Sequence, residues 1–101
     1  MDNRPNLQKF LEELIGSENV YFQPPPSLQM SYPAIVYSRV TIENSYADNS
    51  PYVQDVAYKL VVIDRNSDSP IVKKVSKLPM CKHNSHYVSD NLYHDAFTIY
   101  Y

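Results

Sequence analysis

A single glycine, Gly16, a single cysteine, Cys81, and no tryptophan stand out among the 101 residues. Lone Gly16 leaves no glycine-rich loop, so neither a phosphate-cradling P-loop nor a dinucleotide fingerprint is present. The Gly-x-Ser-x-Gly nucleophile elbow is excluded on the same ground. One cysteine excludes an internal disulfide framework and fits a reducing compartment. No apolar run reaches the roughly 18 residues of a membrane span, and Met1-Asp2-Asn3-Arg4 leads into a helix rather than a signal peptide. Nine basic against eleven acidic residues leave a net charge of −2 with no basic stripe, which argues against a dedicated nucleic-acid binder. Charged residues make up only 20% of the chain, too few for a disordered segment of this length. The length fits one domain, 1–101, with a modest core.

What is present is tyrosine, ten of them, and proline, eight. Leu7, Phe10, Leu11, Leu14 and Ile15 recur at helical period and predict a helix from Asp2 to Ile15. Asn3 suits its cap, Pro5 its first turn, and Gly16 the left-handed residue that closes it. Glu18-Asn19-Val20-Tyr21-Phe22-Gln23 resembles a tobacco etch virus protease recognition site. It departs from one at Val20 and at Pro24, and reads as native sequence. Val20-Tyr21-Phe22 is a short strand, and Pro24-Pro25-Pro26 a rigid extended connector.

Two long strands follow. Ala34, Val36, Ser38, Val40 and Ile42 alternate with Ile35, Tyr37, Arg39 and Thr41. From Tyr52 to Asp64, Val56, Tyr58, Leu60 and Val62 share one apolar face, with Ala57, Lys59, Val61 and Ile63 on a mixed one. They predict a hairpin whose connection, Glu43 to Pro51, is a polar loop longer than a hairpin needs. Ser69 caps a second helix opened by Pro70, carrying Ile71, Val72, Val75 and Leu78 inward and Lys73, Lys74 and Lys77 outward, and ended by Pro79. Ser85 to Ser89 and Leu92 to Tyr100 form a last hairpin across Ser89-Asp90-Asn91. The expected fold is α+β: a mainly antiparallel sheet of four to five strands, two helices on one face, in the order α-β-β-β-α-β-β.

Chemistry-bearing constellations are few. Cys81, His83, His86 and His94 offer zinc-ligand atoms within a short stretch, but the spacing matches no standard finger. They read as loop histidines beside a buried thiol. His83-Asn84 and His94-Asp95 supply a base and a carboxylate without the helix that a histidine nuclease places after them. Asp64 and Asp68 flank a turn that lacks the glycine and terminal glutamate of a calcium loop. No enzymatic activity, cofactor or metal is expected. The three lysines of the second helix read as a solvated face, with DNA contact as the alternative.

The tyrosines point elsewhere. A large apolar body with a polar tip suits surfaces that are wet alone and covered in a complex. Tyr46, Asp48 and Tyr52 in the long connection, with Tyr100 and Tyr101 at the chain end, are therefore the expected interface residues.

Val20-Tyr21-Phe22-Gln23-Pro24-Pro25, then Tyr32-Pro33-Ala34-Ile35-Val36-Tyr37, then a long strand ending Ile63-Asp64-Arg65, resemble the small tail-completion proteins of long-tailed bacteriophages. The likeness runs from about Leu7 to Tyr101 and lies in order and spacing. It implies a tail-terminator or head–tail joining protein that forms a ring, commonly a hexamer, on the tail tube. The implied partners are other copies of the chain, the tail-tube protein and the head connector. DNA passes through without specific binding. The implied location is the neck of the virion, assembled in the host cytoplasm. The short second helix and the near absence of glycine depart from that pattern, leaving both tail-terminator and head-completion stations open. The rival is a small phage DNA-binding or inhibitory protein using Lys73, Lys74 and Lys77.

Overall fold

A computed structural model describes residues 4–47, 50–79 and 81–100, with side chains described outside 41–56. Along the chain come α1 (Arg4–Ile15), β1 (Val20–Phe22), β2 (Ala34–Ala47), β3 (Ser50–Asp64), α2 (Pro70–Ser76), β4 (Cys81–Ser89) and β5 (Leu92–Tyr100). The strands make one five-stranded sheet in the spatial order β1-β2-β3-β5-β4. Strand β1 runs parallel to β2, and every other neighbouring pair is antiparallel. The α+β order expected from the sequence is the order found.

Both helices begin and end where local chemistry dictates. Gly16 takes φ +77°, and the Ser17 N–H reaches back to the Glu12 carbonyl at 3.2 Å, closing α1 in a Schellman turn. The Ser69 hydroxyl accepts from the Ile71 N–H at 3.2 Å, and Pro70 opens α2. Expected cap Asn3 lies outside the described residues. Leu7 and Leu11 of α1 and Ile71 and Val75 of α2 are buried against one face of the sheet. Each such burial contributes roughly 1.5–3 kcal/mol.

Period-two alternation assigns the sheet's two faces. Ile35 lies opposite Val62, Tyr37 opposite Leu60, Leu60 opposite Phe97 and Tyr58 opposite Ile99; all of these side chains belong to the helix-covered core. Within that core the Tyr37 hydroxyl donates to Gln8 Oε1 at 2.5 Å, and Gln8 Nε2 donates to the Val20 carbonyl at 3.0 Å. These bonds tie α1 to β1 and β2. Burial pushes the Tyr37 phenol above its ordinary range, against the opposing pull of the Arg4 guanidinium.

Two expectations need correction. Alternation along β2 does not run unbroken to Ile42, because the register shifts by one residue between Arg39 and Thr41. Val40 is the inserted residue, so Ile42 falls opposite Val56 rather than on the parity of Val36. Nor is Glu43 to Pro51 a polar loop. Strand pairing continues through Asn44↔Gln54 and Tyr46↔Pro51 to Ala47↔Ser50. Polar side chains on both parities disguise the strand, which is legible only from the pairing that propagates out of the sheet.

The consequence is an arm. Strand β5 pairs with β3 only from Ala57 to Asp64, and β1 pairs with β2 only from Ile35 to Tyr37. Among the described residues, Thr41–Ala47 and Ser50–Val56 therefore pair only with each other. This two-stranded ribbon extends a molecule measuring 50 × 24 × 23 Å.

Candidate interaction surface

The residues expected at an interface are distributed over the arm and the last strand. Tyr46 and Tyr52 occupy the paired strands of the arm, and Asp48 and Tyr101 lie outside the described residues. Tyr100 closes β5 opposite Ala57, half-buried, where the arm leaves the sheet. Tyr46, Tyr52 and Tyr100 thus mark the tip and the root of one projection rather than two separate patches.

Strand β4 forms one edge of the sheet, and it reaches back to Cys81, four residues before its expected start. Its register slips between His83 and Ser85, leaving Asn84 as an inserted residue. That insertion matters, because side chains three apart on a regular strand point to opposite faces. Here His83 and His86 come to the same face and converge on Asp95 of β5, which is only 8% exposed. His83 Nε2 donates to Asp95 Oδ1 at 3.0 Å and His86 Nδ1 donates to the same oxygen at 2.9 Å. His86 also stacks on Tyr93, and His83 meets Phe97 edge-on. A buried carboxylate needs such donors, and the two imidazoles fasten the edge strand to its neighbour in supplying them.

The quartet weighed as zinc ligands is divided by this geometry. His94 lies on the opposite face, stacked on Tyr87 with centroids 4.8 Å apart. Cys81 is half-buried opposite Ile99, and burial pushes its thiol up. Among the described residues no group of three or more His, Cys, Asp or Glu is arranged to hold a metal ion. His94 and Asp95 likewise face opposite sides and share no site. Around Asp64 the carboxylate accepts the Asn66 N–H at 3.1 Å, and Asn66 in turn accepts the Asp68 N–H at 3.0 Å. These are successive Asx turns.

The lysines of α2 are already engaged. Lys73 pairs with Asp68 at 3.2 Å, and Lys74 Nζ reaches the Leu14 carbonyl at 3.5 Å, at the end of α1. Both contacts serve to join α2 to its surroundings, although the exposed Lys73 pair is worth only about 0–1 kcal/mol.

Sequence reasoning set Ala57, Lys59, Val61 and Ile63 on a mixed face but did not bring its neighbours on the other strands into one surface. Ser38, Lys59, Thr98 and Lys82 form one row across four strands, with both lysines exposed. Asn84 Nδ2 donates to the Thr98 hydroxyl at 2.7 Å beside that row. Val61 and Ala96 occupy the next row, and the Tyr87–His94 stack the one beyond. No helix covers these rows.

An α+β sheet with both helices on one side, an open second side and a projecting arm defines the class of architecture. In comparisons with known proteins, no family model matches the chain and no curated protein matches it. No helix among the described residues is long and apolar enough to cross a membrane.

Proposed function

We propose that the chain is a structural joining protein of the phage tail-completion kind. Its copies close into a ring, with six subunits expected, that caps the tail tube and docks it to the head connector. The observation that carries this reading is the arm. A two-stranded ribbon without a third strand or a helix against it is marginal in water. Pairing that nevertheless runs seven residues along β2 beyond the bulge, Thr41 to Ala47, makes sense when a neighbour covers it. A projection that fits a different surface on the next copy makes a heterologous contact, and such contacts generate rings when the rotation closes.

Tail-tube and connector proteins are the remaining partners in this reading, and DNA passes through the ring without specific contacts. The absence of a nucleotide loop accords with a structural role. The virion neck is the corresponding location, reached by assembly in the host cytoplasm.

Replacing Tyr46–Ser50 by a tight turn is the direct test. The intact chain is expected to give one closed oligomer by native mass measurement and rings by electron imaging, and the shortened chain neither. Normal ring assembly and tail joining by the shortened chain would remove the arm from the account. Salt-sensitive binding of duplex DNA, lost when Lys73, Lys74 and Lys77 are neutralised, would favour the DNA-binding rival instead.

A further inference from the structure

The sheet has two outer strands, and they are protected unequally. On one side β1 has three residues and runs directly into Gln23 and Pro24-Pro25-Pro26, so little backbone is left open there. On the other side β4 has nine residues, Cys81–Ser89, paired with β5 alone among the described residues. It contains no proline, and Lys82 is its one lysine, arginine, aspartate or glutamate. Every residue from Lys82 to Ser89 is exposed.

The bulge at Asn84 and the turn at Asp90-Asn91 limit the regular part of this edge to Ser85–Ser89. These residues, Ser-His-Tyr-Val-Ser, read nearly the same in either direction. Ser85, Tyr87 and Ser89 take the open face, opposite Ala96, His94 and Leu92. His86 lies on the helix side, opposite Asp95, and Val88 shares its parity. Tyr87 and Val88 are 43% and 60% exposed. Beyond the bulge, then, the edge has none of the lysines, acids or prolines that keep strand edges from pairing, and it carries large exposed apolar side chains.

We propose that Ser85–Ser89 pairs antiparallel with the same residues of a second copy. A twofold axis normal to the sheet passes at Tyr87, the one register that pairs the whole regular stretch. It sets Tyr87 opposite Tyr87 of the second copy, Ser85 opposite Ser89 and His86 opposite Val88, and it joins two sheets into one. The open backbone N–H and C=O groups of each edge satisfy those of the other. No lysine or acid meets its like, and the two tyrosines gain a cross-strand aromatic contact that extends each Tyr87–His94 stack. A patch that reads alike in both directions suits an isologous contact, which brings identical surfaces together. This contact is separate from the arm and goes beyond the ring reading, since it pairs copies two by two rather than head to tail.

Cysteine cross-linking reads the register in the full-length chain carrying Cys81→Ser. Tyr87→Cys is expected to give a disulfide-linked dimer on mild oxidation, since facing residues of an antiparallel pair bring their Cβ atoms to about 4.5–5.5 Å. Ser85→Cys and Ser89→Cys are each expected to stay largely unlinked alone and to link when the two chains are mixed. In the otherwise unaltered chain, Tyr87→Lys sets two like charges on the axis and is expected to weaken dimerisation about tenfold or more by sedimentation across protein concentration. Val88→Lys, at a more exposed position, is expected to act in the same direction, and circular dichroism confirms folding of both variants. The chain shortened at Tyr46–Ser50 is expected to keep this dimer. Association unchanged by both lysine variants, or a Tyr87→Cys chain that never cross-links, would overturn the contact and leave the ring reading standing. Preferential linking of Tyr87→Cys to Ser45→Cys in mixed chains would overturn the twofold and seat the arm of a second copy on this edge. A parent chain that stays monomeric at every concentration would overturn both the contact and the ring.

Discussion

The two faces of the sheet are made by alternate residues of the same strands, yet they follow different rules. On the helix side, Tyr37, Tyr58, Leu60, Val62 and Phe97 are fully buried beneath α1 and α2. On the other side, their immediate chain neighbours Ser38, Lys59, Val61 and Thr98 are half-buried or exposed. One face is closed by the chain itself. The other is buried at Ala34, Ala57, Ile63 and Ala96 but carries exposed Lys59 and Lys82 between half-buried Ser38 and Thr98, with no helix above them. The large buried side chains are thus concentrated on the helix side of the sheet.

Substitutions at facing positions separate these roles. Phe97→Ala deletes a fully buried ring and is expected to cost about 3–5 kcal/mol in urea unfolding. Lys59→Ala, on the other parity of β3, is expected to change stability by less than about 0.5 kcal/mol. Comparable losses at both would dissolve the contrast between the faces. Asp95→Ala comes next in size. It removes the acceptor shared by His83 and His86, with an expected loss of about 1–3 kcal/mol and faster amide exchange along β4. An unchanged exchange rate in β4 would show that the histidines do not fasten the edge.

Smaller effects probe the helices that close the core. Ser69→Ala removes the acceptor for the Ile71 N–H and is expected to cost about 1 kcal/mol in thermal unfolding. Smallest in free energy is the chemistry of Cys81. Its thiol lies above its ordinary 9.0 through burial, so alkylation at neutral pH is expected to be slow in the folded chain and ordinary in urea. Equal alkylation rates in both states would place the thiol in solvent.

Much of the helix-side architecture was legible beforehand. The α1 stripe ends at Gly16, whose positive φ matches its assigned role, and the Ser69–Pro70 start of α2 holds to the residue. Tyr58, Leu60 and Val62 were separable from Lys59 and Val61 by parity alone. Asp90 and Asn91, at φ 53° and 62°, form the turn, one residue shorter than the expected Ser89-Asp90-Asn91 because Ser89 pairs with Leu92. Parity failed where the chain inserts a residue. The bulges at Val40 and Asn84 reverse it, and nothing in Arg39-Val40-Thr41 or His83-Asn84-Ser85 signals an insertion.

The candidate interaction surface was harder to read for a related reason. Strand β4 is exposed on both parities from Lys82 to Ser89, and the outer hairpin is polar in sequence on both parities, so both resemble loop. Asp95 could be placed on the core side by its alternation with Phe97 and Ile99, but its histidine partners depend on the Asn84 bulge. The open-face row of Ser38, Lys59, Thr98 and Lys82 exists only once four strands are in register.

Amide hydrogen exchange of Thr41–Ala47 as a function of protein concentration bears most directly on the claim that copies of the chain complete one another. An arm seated on a neighbour opens only as often as the contact does. Protection along these residues is therefore expected to rise with concentration, in step with the oligomer mass, while protection of Leu60 and Val62 stays constant. Arm protection that is the same in dilute and concentrated protein would contradict the account.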